Sequence, residues 1–194
     1  MIFTCFLLLF AAMPPHMDQI RQAKDLYYGG IYGDKSASGK ADELFTALYK
    51  QMPNDPLVTV YYGSLRLLEA QHTWALWKKS SLSKQGVQLM DSAVNAAPDN
   101  LEVRFVRAAT DRSLPSFFGR RQQFQSDLNF VVQRAEEAVH QGSFEPRLAA
   151  ASFSYYGDLC KEQSRLQDAT NAWKTAVRLA PDSHAGRAAA DKLR

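Results

Sequence analysis

At 194 residues, 46% hydrophobic and 22% charged, the chain has enough apolar material for one sizeable core or a short repeat array, which excludes a disordered segment. Its net charge of +3 comes from bases interleaved with acids over most of the length, which argues against a protein that coats nucleic acid with concentrated basic runs. Cys5 and Cys160 cannot build a disulfide framework within one domain, and His16, His72, His140 and His184 lie in no zinc-ligand spacing, so no cofactor is expected.

Residues 2–13, IFTCFLLLFAAM, are an uncharged run too short for an ordinary membrane span and suited to the apolar core of a secretory signal. Residues 1–17 are therefore read as a leader and short linker, with export to the periplasm or the exterior expected. A competing reading starts translation at Met17 and keeps the protein cytoplasmic. In neither case is a stable membrane span expected in the mature chain.

Residues 22–55, QAKDLYYGGIYGDKSASGKADELFTALYKQMPND, place Gly29, Ala41 and Pro53 twelve residues apart, with Tyr28, Tyr32, Phe45 and Leu48 among them. Within them GDKSASGKA, at 33–41, invites comparison with a phosphate-cradling loop. It has five residues between Gly33 and Gly39 where that motif has four, and Ala41 where the motif needs a hydroxyl, so a turn between paired helices is expected instead. The next unit, 56–100, carries Tyr62 and Gly63 on a first helix and Met90, Ala93 and Pro98 on a second, with eleven more residues than the first unit, expected between the helices. In 101–149, LEVRFVRAATDR supplies Ala108 as a small residue and DLNFVVQRAEEAV a second helix, closed by Gly142 and Pro146. In 150–183 the spacing returns with Gly157, Ala169 and Pro181, alongside Phe153, Tyr156, Cys160, Trp173 and Ala176. Residues 184–194 read as a cap. Apolar residues recur at helical intervals between Gly and Pro punctuation and strand signals are weak, so an all-α fold is expected without reference to any relative.

These steps resemble the tetratricopeptide repeat, in which a small residue on the first helix lets the second approach, an aromatic fills the space beside it and proline ends the unit. The resemblance covers about residues 18–194. VTVYYGSLRLLEAQHTW and LEVRFVRAATDRSLPSFFG are, more narrowly, similar to an uncharacterised bacterial family with two enlarged middle repeats. It implies a right-handed α-solenoid of about four helix pairs plus a C-terminal capping helix, with Gly157 at a helix contact and Trp173 beside it, acting as a scaffold that binds protein. No serine–histidine–acid or cysteine–histidine arrangement has local support, so the chain is not expected to be an enzyme.

In this repeat family the first helices line a concave, peptide-binding face. The places that clamp a chaperone's C-terminal carboxylate in one subclass hold Leu26, Gly30, Ser64, Glu102 and Val106 here, which cannot supply that charge. The remaining concave candidates are Tyr61, Arg104, Phe105, Arg112 and Asp158, which suit a peptide partner if exposed and inter-repeat packing if not. The two insertions share a chemistry. AQHTWALWKKSSLSK, at 70–84, carries Trp74, Trp77, Lys78, Lys79 and Lys84 without an acid. RSLPSFFGRRQQF, at 112–124, carries Phe117, Phe118, Arg120 and Arg121, again without an acid. Both are expected on one edge of the stack, where a basic-aromatic patch would take an anionic partner. On the structural alternative the aromatics cover their own repeats and the cations form a solvated rim. The expected partner is a protein or peptide, anionic if the edge binds it, and nucleic acid is not favoured. The alternative function is a small-molecule or lipid-binding α-solenoid whose pocket the two insertions roof. Lys78, Lys79, Arg120 and Arg121 are expected to be exposed and removable with little loss of stability.

Overall fold

The computed structural model describes residues 15–194. The apolar run at 2–13, Cys5 and the export reading attached to that run lie outside the described residues. Every regular element among the described residues is a helix, and the ten α-helices pack in neighbouring pairs. The chain divides into two compact units, one ending at Asn54 and the other running from Asp55 to Arg194.

The first unit is one helix pair, α1 (Pro15–Ile31) and α2 (Lys35–Gln51). Asp34 sets the start of α2: its side chain accepts from the backbone N–H of Ser36 and Ala37 at 2.9 and 3.0 Å, satisfying two donors that a helix end leaves open. The segment 33–41 is thus a turn followed by helix. Ala41, Phe45 and Leu48 are buried along one side of α2, Ala23, Tyr27 and Tyr28 along one side of α1, while Tyr32 is half exposed. The closest backbone approach is made by Gly30, one residue beyond the expected Gly29, against the backbone of Ser38.

The second unit begins with α3 (Pro56–His72) and α4 (Leu76–Ala96), followed by α5 (Leu101–Ser113), a 3-10 turn at Ser116–Phe118, α6 (Arg121–Val132) and α7 (Ala135–His140). It closes with α8 (Pro146–Glu162), α9 (Leu166–Leu179) and α10 (His184–Lys192). Starts are marked by side-chain caps: Asp55 accepts from Val58, Asn100 from Glu102 and Val103, and Ser183 from Gly186. Proline follows at the first turns of α3 and α8, where its missing N–H costs nothing. Each pair packs on the next, with α5 touching both α3 and α8. Ala108, Phe124, Leu128 and Leu159 form a buried cluster where α5, α6 and α8 meet. Burying a side chain the size of Phe or Leu stabilises by about 1.5–3 kcal/mol.

Three features depart from the expectations. The eleven extra residues of 56–100 do not form a loop. Only residues 73–75 separate α3 from α4, and the excess is taken up within both helices, α4 running to 21 residues against 17 for α2 and α3 supplying the rest. The two helices can run this close because Gly63 and Gly86 face each other: a Cβ on Gly86 would stand 2.7 Å from the Gly63 carbonyl oxygen. The second helix of 101–149 starts at Arg121, six residues early, and breaks at Gln133 and Arg134. The Arg134 N–H turns to the Val131 carbonyl, and the carbonyl of Phe130 is taken instead by the Arg134 guanidinium at 3.2 Å. That guanidinium also lies 3.8 Å over the Phe130 ring. Gly157 sits at a helix contact as expected, since a Cβ there would fall inside the indole of Trp173.

Candidate functional site

Five of the expected binding residues act as struts inside the second unit. Tyr61 is fully buried, and its hydroxyl donates to Glu102 at 2.7 Å, tying α3 to α5. Beside it the Ser64 and Thr110 hydroxyls bond at 2.9 Å. Thr110 spends its proton on the Val106 carbonyl, so Ser64 donates. Phe105 is buried and stacks on Tyr155 of α8, with centroids 6.1 Å apart. Arg112 donates to Asp158 at 2.8 Å and lies 4.6 Å over the same Tyr155. Asp158 also accepts from Trp173 Nε1 and Lys192, which joins α8 to α9 and α10. Arg104 bonds the Pro98 carbonyl and Asp127. These positions carry the packing reading that the sequence left open.

The basic edge is also redistributed. Arg120, expected in solvent, is buried: its guanidinium grips Asp91 at 2.5 and 2.9 Å and Asp111 at 2.9 Å. Arg107 joins the same network, holding Asp127 at 2.6 and 3.0 Å and Asp91 at 2.9 Å. A guanidinium satisfies this because its planar fork can serve two carboxylates at once. Burial opposes ionisation of Asp91, yet the hydrogen bonds and charges of Arg120 and Arg107 prevail and hold it below the usual carboxylate range. For Asp111 burial wins, only partly offset by Arg120, and its pKa is pushed up to about 6. Asp111 Oδ2 is buried without a hydrogen-bond partner. These acids stand 9 to 29 residues from their arginines, and no local pattern announces such pairs.

Arg121 pairs with Glu162 at 2.9 Å on the surface, and Lys78 with Glu69 at 2.9 Å. Lys79 and Lys84 are exposed, and among the described residues no ion pair joins them to a carboxylate. The two insertions nevertheless meet. Along α4, Leu76, Lys79, Ser80, Ser83, Lys84 and Val87 recur at helical spacing on one face. Opposite them stand Leu114, Pro115, Phe117, Phe118 and Arg120, and Leu67 and Ala70 of α3 complete the wall. The groove so enclosed has a volume of about 980 Å³, and no Asp or Glu lines it. Trp74 and Trp77 lie outside it, exposed, as an edge-to-face pair with centroids 6.2 Å apart. A smaller cavity of about 560 Å³ lies on the far side of residues 113–116 and is lined by Asp111, Arg112, Arg121, Tyr155 and Glu162.

Comparison with protein-family models, with curated proteins and with solved structures finds no match. Among the described residues no helix is long and apolar enough to cross a membrane. Cys160 is buried and unpaired, and burial, acting against the weaker pull of Arg165, raises its thiol pKa. No group of three or more His, Cys, Asp or Glu side chains among the described residues could hold a metal ion. Chemically, the groove offers an apolar side at Leu114–Phe118 and, on α4, hydroxyl and ammonium groups between Leu76 and Val87, a combination suited to an amphipathic segment bearing anions.

Proposed function

We propose that the chain is a non-catalytic interaction module of the tetratricopeptide type, and that it holds an acidic, amphipathic segment of a partner protein in the groove between α4 and residues 113–120. The observation that carries this reading is the groove itself: Leu114, Pro115, Phe117 and Phe118 form an apolar wall opposite a mixed face of α4, in which Leu76 and Val87 alternate with Ser80, Ser83, Lys79 and Lys84. The concave face is a weaker candidate, because Tyr61 and Phe105 are buried, Arg104 is paired with Asp127, and Arg112 with Asp158. Assembly of the pairs into a right-handed solenoid belongs to the same proposal.

Capture of a partner by the parent chain and by a Lys79→Gln, Lys84→Gln variant tests it. The variant should lose about tenfold in affinity or more, since charge-assisted contacts each contribute about 1.5–3 kcal/mol. The parent's binding should also weaken with salt, because surface charges are screened over about 8 Å at physiological ionic strength. A partner held equally by both proteins, or indifferent to salt, contradicts the proposal. A second reading, a small amphiphile with an apolar tail and an anionic head, draws on the groove's volume of about 980 Å³, at the upper end for small-ligand sites. Native mass spectrometry of the purified chain separates the two: a retained small molecule favours the second. The leader at 2–13 is read as an export signal. Sequencing of the mature N-terminus supports this if the chain starts beyond that run and contradicts it if Met1 is retained.

A further inference from the structure

Isolated exposed apolar side chains are ordinary, whereas contiguous ones mark a contact surface. In the second unit Trp74, Leu76, Trp77 and Phe117 are 87%, 78%, 75% and 82% exposed, and Leu166 is the one other large apolar side chain so exposed there. Leu76 and Phe117 stand at the mouth of the groove, where Leu76 opens α4 and Phe117 faces it from the 3-10 turn. Trp74 and Trp77 pack edge to face beside Leu76. Six consecutive residues at the start of α4, 76–81, are exposed.

The occupant follows from shape and charge. A peptide lying in the groove would leave Trp74 and Trp77 in water, because neither lines it. A projecting apolar tip is covered more completely by a planar apolar phase. Tryptophan, leucine and phenylalanine alongside lysine are the side chains that settle at the level of lipid headgroups. Residues 70–90 contain Lys78, Lys79 and Lys84 and no Asp or Glu. Lys78 keeps 55% of its side-chain surface exposed despite its contact with Glu69. We propose that this tip is a membrane-surface anchor: Trp74, Leu76, Trp77 and Phe117 enter the interfacial layer of an anionic bilayer while Lys78 and Lys79 lie against its phosphates. The attachment is peripheral and needs no spanning helix. It shares Leu76, Lys79 and Phe117 with the groove reading and differs from it in resting on Trp74, Trp77 and Lys78, which do not line the groove.

The test is co-sedimentation of the full chain with vesicles of phosphatidylcholine containing phosphatidylglycerol, and with vesicles of phosphatidylcholine alone. The chain has three tryptophans, and Trp173 is 6% exposed, so a blue shift of fluorescence on binding reports Trp74 and Trp77. The expected result is binding to the anionic vesicles with a blue shift. Trp74→Ser, Trp77→Ser should weaken that binding about tenfold or more, because binding strength follows the apolar area buried. Lys78→Gln, Lys79→Gln should weaken it and reduce its salt dependence. Val87→Trp, which puts an indole into the groove away from the tip, should leave it unchanged, so failure of the groove reading and failure of the anchor are distinguishable. The proposal is overturned if the chain ignores anionic vesicles, or if the tryptophan variant, with parent-like circular dichroism, binds them as the parent does. It is also overturned if that variant loses a captured protein while the parent shows no vesicle binding, an outcome that makes the tip a protein contact.

Discussion

Gly157 leaves the space that the Trp173 indole fills, and Trp173 Nε1 donates to Asp158 at 3.3 Å. Gly157→Leu should therefore overpack the α8–α9 contact and cost about 1–3 kcal/mol or more, while Trp173→Ala should cost about 3–5 kcal/mol through the cavity it leaves. Thermal melting checks both, and an unchanged midpoint in either would remove the contact from the account. This pair was legible in the sequence because both residues lie within one repeat. Arg120 was not. Its partners Asp91 and Asp111 come from α4 and α5, and a cation beside another cation reads as surface until the chain folds back on it. Arg120→Gln should cost about 3–5 kcal/mol, because it strips a buried carboxylate of its partner. Asp111 behaves differently. With its pKa raised to about 6, the folded state binds more protons than the unfolded state between about pH 4 and pH 6, so this residue's contribution falls as pH rises through that window. Asp111→Asn removes that slope. Relative to the parent, the variant should gain up to about 3 kcal/mol between about pH 4 and pH 7. Denaturant unfolding at both pH values checks the sign, and parallel profiles would contradict it.

At the scale of elements, helix existence was legible and helix extent was not. Cap residues and prolines mark the starts of α3, α5, α8 and α10, and these signals are local. The length of α4 depended on Gly86, which reads as a helix weakener until Gly63 is found opposite it. Gly86→Leu should force α3 and α4 apart and lower stability by about 1–3 kcal/mol or more. In the parent, amides at 76–81 should exchange faster than those at 86–94, because that stretch is exposed. Equal protection of 76–81 and of 86–94 in the parent would show that the start of α4 is held by contacts not described above. The break between α6 and α7 was likewise hidden, because nothing in DLNFVVQRAEEAV marks Arg134 as the residue that takes the Phe130 carbonyl.

At the scale of the molecule, the sequence showed that 70–84 and 112–124 share a chemistry, and the second unit brings them to opposite walls of one groove. It could not show which cations stay free. Burial removed Arg120, and pairing engaged Lys78 and Arg121, which leaves Lys79 and Lys84 as the exposed lysines of the groove. If an acidic segment of a partner protein lies in this groove, as we propose, a photo-crosslinking residue at Val87 will stand within reach of it. In the cells that make the protein, irradiation should give one discrete covalent adduct, with the joined peptide rich in Asp or Glu beside apolar residues. Lys79→Gln, Lys84→Gln in the same background should abolish that adduct. No adduct at Val87, or one of equal yield in the lysine variant, would show that no acidic segment lies there.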